Sequence, residues 1–97
     1  SYIKYYCRTN NVPGRIEIHK TDRKITFYEC KVGSSSKVIK TLFISKATNF
    51  VGDNTYEVKN TGEISNSGTI EIKDCSGNIH RITIPVSIDN INVYEGE

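Results

Sequence analysis

The sequence holds no Met and no Trp, a single Leu (Leu42), a single Ala (Ala47) and two Pro. The shortage of Leu, Ala and Met removes the residues from which helices are usually built, and so excludes an all-helical or α/β architecture. No apolar run approaches the roughly 20 residues that a bilayer-spanning helix needs. Ser1 to Arg8 mixes Lys and Tyr with no apolar core, so it does not read as a secretory leader. There is no Asn-x-Ser/Thr sequon, which argues against a eukaryotic secreted glycoprotein. The N-terminal Ser is compatible with an intact small protein or with a processed one.

Catalytic equipment is also scarce. His19 and His80 are the only histidines, and no serine stands in a Gly-x-Ser-x-Gly setting. The carboxylates are scattered singly, without the close spacing that binds Ca²⁺ or divides acid and base roles between two groups. Asp53 and Asp74 read as turn residues. Gly62 and Gly68 lack the Lys-Ser/Thr that completes a phosphate loop. The three cysteines, Cys7, Cys30 and Cys75, are too far apart in sequence to form the paired spacing of a zinc site, even with the histidines. They are compatible with three reduced thiols or with one disulfide and a leftover thiol. No cofactor and no metal are expected.

What the chain does hold is β-branched residues: 14 Ile, 7 Val and 9 Thr among 97. Branching at Cβ restricts χ1 in a helix and suits a pleated strand. Short strand-like runs alternate with turn chemistry throughout, which predicts one all-β domain over 1–97. The expected architecture is a small antiparallel β-sandwich of about seven or eight short strands, with a small β-barrel as the alternative.

Residues 2–8 alternate as a strand, with Ile3, Tyr5 and Cys7 on one face and Tyr2, Lys4, Tyr6 and Arg8 on the other. Pro13-Gly14 reads as the centre of a type II turn with positive φ at Gly14. Residues 15–20 and 25–28 form a hairpin, and Val38 to Ser45 is apolar on both faces, as a central strand should be. Residues 47–55 form either a crossover loop or, if the chain has a helical turn anywhere, that turn. Tyr56 to Lys59 is a further strand. Asp74-Cys75-Ser76-Gly77 closes a hairpin over 69–86 through a type I turn and a left-handed glycine. Pro85 confines the return strand to an edge or to an unpaired position, and Ile91 to Tyr94 ends the series.

The formal charge of +2 conceals a separation. Residues 1–46 carry ten basic groups against three acids, a balance of +7, and residues 47–97 carry three against eight, a balance of −5. Either the strands of the two halves interleave and cancel, or a basic face is left opposite an acidic one. Tyrosines lie among the N-terminal cations, so Tyr2, Lys4, Tyr6, Arg8, Arg23, Lys24 and Tyr28 are the candidate partner-binding residues. The expected function is a non-catalytic interaction module acting through protein–protein contact or homo-assembly. The alternative is a basic β-barrel that binds single-stranded nucleic acid through its N-terminal half.

Overall fold

The computed structural model describes residues 2–65, 68–84 and 93–95. One short helix, α1 (Tyr2–Asn10), is followed by eight strands: β1 (Gly14–His19), β2 (Lys24–Glu29), β3 (Lys37–Ile44), β4 (Thr48–Phe50), β5 (Asn54–Val58), β6 (Gly68–Asp74), β7 (Ile79–Ile84) and β8 (Val93–Glu95). They form two open antiparallel sheets, ordered β5-β1-β2-β3-β8 and β4-β6-β7. The protein is therefore an all-β sandwich, and the closed-barrel alternative is set aside. Pro85 and the first two residues of the run from Ile91 to Tyr94 lie outside the described residues.

Residues 2–8 are helical and not extended, contrary to the alternation in the sequence. A period of four fits the same residues better: Ile3 and Cys7 fall on one helix face and are fully buried, while Tyr2 and Tyr6 stack on the neighbouring face at 6.2 Å between ring centroids. Tyr5, assigned to the apolar face of a strand, is exposed.

The helix stops at Asn11, which takes the left-handed conformation (φ 52°) while the Val12 N–H donates to Cys7 C=O at 3.0 Å, closing a Schellman-type cap. Asn10 Nδ2 caps a further carbonyl, that of Tyr6, at 2.9 Å. Pro13 follows two residues after Asn11, a common place for proline beyond a helix end.

Gly14 is accordingly no turn residue. It opens β1 with an ordinary φ, and its lack of a side chain serves close packing: a Cβ there would stand 2.6 Å from Cys7 Sγ and 2.8 Å from the Tyr28 carbonyl. Residues 47–55 hold no helical turn either. Their strand β4 carries the chain out of the large sheet into the small one, and β5 brings it back.

The expected hairpins are present. In β1 and β2, Ile16 faces Phe27 and Ile18 faces Ile25 across the ladder. In β6 and β7 the Asp74–Gly77 turn has Gly77 at φ 87°, and the Asp74 carboxylate accepts from the Ser76 and Asn78 N–H groups at 2.9 Å each.

The inner face of the large sheet is shared by two covers. Toward Gly14 and Val58 it is covered by α1, with Tyr2 against Phe27 at 5.9 Å. Ile18, Ile25 and Ile44 join Phe50, Ile70 and Ile72 of the small sheet in the same buried cluster. Burying Phe27 and Phe50 contributes about 2–3 kcal/mol each.

Candidate functional site

The seven sequence-predicted residues do not converge. Tyr2 and Tyr6 face the inner side of the large sheet, where the Lys40 ammonium sits 4.5 Å over the Tyr2 ring and the Tyr6 hydroxyl donates to Glu29 at 2.8 Å. That donation raises the Tyr6 pKa above its ordinary value, burial adding to it. Lys4 and Arg8 line up on another side of α1, against the link that carries Gly62. Tyr28 lies on the opposite, outer face of the sheet under the Arg15 guanidinium, 4.5 Å from its ring centroid. Lys24 begins β2. Arg23 lines an open cleft.

The cleft has a volume of about 480 Å³, bounded by Lys20, Thr21 and Arg23 from the β1–β2 turn, Asn49, Phe50 and Val51 from β4 and its extension, Lys73 of β6 and Ile79 of β7. Its size is within the roughly 300–1,000 Å³ usual for small binding sites. Register builds one wall. Asn49 pairs with Lys73 and Lys73 with Ile79, so these three side chains stand in a row on the outer face of the small sheet.

The turn forms the opposite wall. Arg23 has a positive φ of 55°, a costly conformation for a residue with a side chain, and it is held there by its neighbours. Its guanidinium donates to Asn49 Oδ1 and to the Ser45 carbonyl, and its own carbonyl accepts from the Ile44 N–H at 2.9 Å. Asp53 secures the start of the same turn by accepting from the Lys20 N–H at 2.7 Å. The turn role read for Asp53 thus extends to tying the bend after β4 onto the β1–β2 turn.

Among the described residues, three cations and no carboxylate line the cleft. Val51 and Ile79 there are 39% and 49% exposed, two of the few large apolar side chains left open to solvent among the described residues. The cleft therefore pairs positive charge with apolar surface, an arrangement complementary to a ligand that carries anionic and aliphatic groups together. Lys20, Val51, Lys73 and Ile79 were missed because each is an isolated residue in the sequence. Only the strand register and the β1–β2 turn bring them together.

The charge halves are partly mixed. β5, from the acidic half, lies beside β1 and sets Glu57 opposite Arg15. The small sheet is drawn wholly from the acidic half, but Arg81 pairs with Glu71 at 3.3 Å and His80 with Asp74 at 2.8 Å. The His80 contact, with the Asn78 and Ser76 N–H groups, holds the Asp74 carboxyl below its ordinary pKa. Lys73 is left facing the cleft.

His19 contacts Glu17 at 3.0 Å and His80 contacts Asp74 at 2.8 Å. Cys7, Cys30 and Cys75 are free, and burial pushes the Cys7 thiol up to about 11. No group of three His, Cys, Asp or Glu side chains with metal-binding geometry occurs among the described residues. Among the described residues no helix is long and apolar enough to cross a membrane. Searches of protein-family models, of curated proteins and of solved structures find no match to this chain.

Proposed function

We propose that this chain is a non-catalytic β-sandwich interaction module that binds a protein partner, a different chain or a second copy of itself, by taking an acidic segment with aliphatic side chains into the basic cleft. The observation that carries the reading is the junction of Lys20, Arg23 and Lys73 with the exposed Val51 and Ile79 around one concavity. Anionic side chains meet the lysines, and aliphatic ones cover the open Val51 and Ile79 surface.

Protein is favoured over single-stranded nucleic acid because base stacking needs open aromatic faces. Tyr2 and Tyr6 are engaged by Phe27, Lys40 and Glu29, Tyr28 by Arg15, the Phe50 ring is buried, and the exposed Tyr5 is not among the residues that line the cleft.

The test is fluorescence anisotropy with a short labelled peptide that alternates Glu and Val, at about 50 mM salt, where the Debye length is still above 10 Å. Binding is expected, with affinity falling as salt rises. Lys20→Glu with Lys73→Glu, both at exposed positions, should weaken it by about a hundredfold, roughly tenfold for each reversed charge. No binding at low salt, or equal binding by the variant, would overturn the proposal. So would retention of a labelled oligonucleotide in place of the peptide.

A further inference from the structure

We infer that the partner's segment is held as an added antiparallel β-strand on the open edge of β7, its backbone pairing with the N–H and C=O groups of Ile79 and Arg81 where the cleft ends. The inference deepens the proposed function and rests on it, since it names how an acidic, aliphatic segment is gripped.

The order β4-β6-β7 makes β7 an edge strand. Two hydrogen bonds fix which of its backbone groups are open. The Asp74 N–H donates to the Asn78 carbonyl at 2.9 Å, and the Glu71 carbonyl turns to the other side of β6, where it accepts from the Val51 N–H at 3.0 Å. Hydrogen-bonded and non-bonded pairs alternate along an antiparallel ladder. Asn78 and His80 therefore bond to β6, while Ile79 and Arg81, opposite Lys73 and Glu71, turn their N–H and C=O away from it. No described residue pairs with those groups. They can also be reached: Ile79 is 49% exposed and the Arg81 side chain 70%.

The other edge strands are guarded. On β5, Ile64 bridges to Val58 and the Ser65 N–H donates to the Glu57 carbonyl at 3.0 Å. β4 is tied to the β1–β2 turn through Arg23 and Asn49, and β8 spans three residues. Among the described residues β7 has no such guard. Its ladder with β6 runs through six pairs without the register shift that interrupts β2 and β3, and a regular, uncovered edge is a template for another strand.

The side chains select the occupant. Ile79 and Arg81 stand on the outer face of the small sheet, where Ile79 borders the cleft beside Lys73. Glu71 meets Arg81 at Nε, at 3.3 Å, and a guanidinium has further N–H donors for a second carboxylate. β7 itself carries no carboxylate, so a second copy joined edge to edge would set Arg81 and His80 against their like. A strand from another protein, with an acidic residue opposite Arg81 and an aliphatic one opposite Ile79, two positions apart and so on one face, matches both.

The experiment uses a peptide of the repeat Glu-Ser-Val-Ser, which places Glu and Val alternately on one face of a strand. In an antiparallel pair, the residues opposite Ile79 and Arg81 exchange backbone hydrogen bonds with them. N-methylation at the Glu and Val amides should therefore cost about tenfold in affinity, and N-methylation at the Ser amides should leave it unchanged. In ¹⁵N NMR of the full chain, the Ile79 and Arg81 amides should move downfield and exchange more slowly when the parent peptide is added. Equal binding by both methylated peptides, with Ile79 and Arg81 unmoved, overturns strand addition and leaves the basic cleft standing. Movement of these two amides with protein concentration alone assigns the edge to a second copy and overturns it too. If the strand signature appears but Lys20→Glu with Lys73→Glu binds the peptide equally, the cleft reading falls and the edge remains. If neither this peptide nor the alternating Glu/Val peptide binds, both fall.

Discussion

Thr26 is the residue whose side chain the fold serves worst. It stands on the outer face of the large sheet, opposite Glu17 on one side and Thr41 on the other, 3% exposed and with no partner for its Oγ1. An unsatisfied buried hydroxyl costs about 1–3 kcal/mol, whereas an isosteric methyl costs little. Thr26→Val keeps the β-branch that suits the strand and is expected to raise the unfolding free energy by about 1 kcal/mol in a urea titration. A lower midpoint would show that the hydroxyl has a partner after all. Such a site is invisible in the sequence, where Thr26 is one of many threonines on a strand. Its burial comes from neighbours contributed by other strands, a property of register that composition does not carry.

Among the elements, the two hairpins were legible and the helix was not. Asp74 and Gly77 encode their turn locally, through a carboxylate that caps two N–H groups and a residue free to take positive φ. Because the folded state holds Asp74 below its ordinary pKa, this group adds stability that is fully present above the unfolded carboxylate pKa and is lost as pH falls through the lowered one. Asp74→Asn should flatten that acid-side loss of thermal stability while changing little near neutrality in slope. An unchanged pH profile between about pH 5 and 2 would remove Asp74 as its source.

Helix α1 escaped because it covers only about two and a half turns. Over so short a run, Ile3, Tyr5 and Cys7 fit period two while Ile3 with Cys7 and Tyr2 with Tyr6 fit period four. What decides is Gly14, whose bare Cα lets the Cys7 sulfur settle onto β1. Gly14→Ala should cost about 1–3 kcal/mol. Adding Cys7→Ala should recover only part of this, because the Tyr28 carbonyl is also within reach of the new methyl. Full additivity of the two changes in urea titrations would separate the helix from Gly14.

At the scale of the molecule, the charge order along the chain pointed to seven residues that the fold does not bring together. The sequence groups Tyr2, Lys4, Tyr6 and Arg8 as a face of one strand, with Arg23, Lys24 and Tyr28 together farther along the chain. Folding sends them to the helix, to both sides of the large sheet and to a turn, and the cleft draws Lys73 from the acidic half to stand with Lys20 and Arg23. A sum over halves cannot register that, since the neutralising pairs Arg81–Glu71 and His80–Asp74 are cross-strand and local.

The shared cover of the large sheet has a further consequence. The small sheet spans only part of that face, and α1 completes the seal with Ile3 and Cys7 at full burial. The first turns of the chain thus act as a removable plug. Cutting after residue 10 is expected to uncover the Phe27 side of the core, so that the remaining sandwich binds a hydrophobic dye more strongly, and forms larger species in light scattering, than the whole chain. A protease acting at that one point would turn a closed domain into one with an adhesive face.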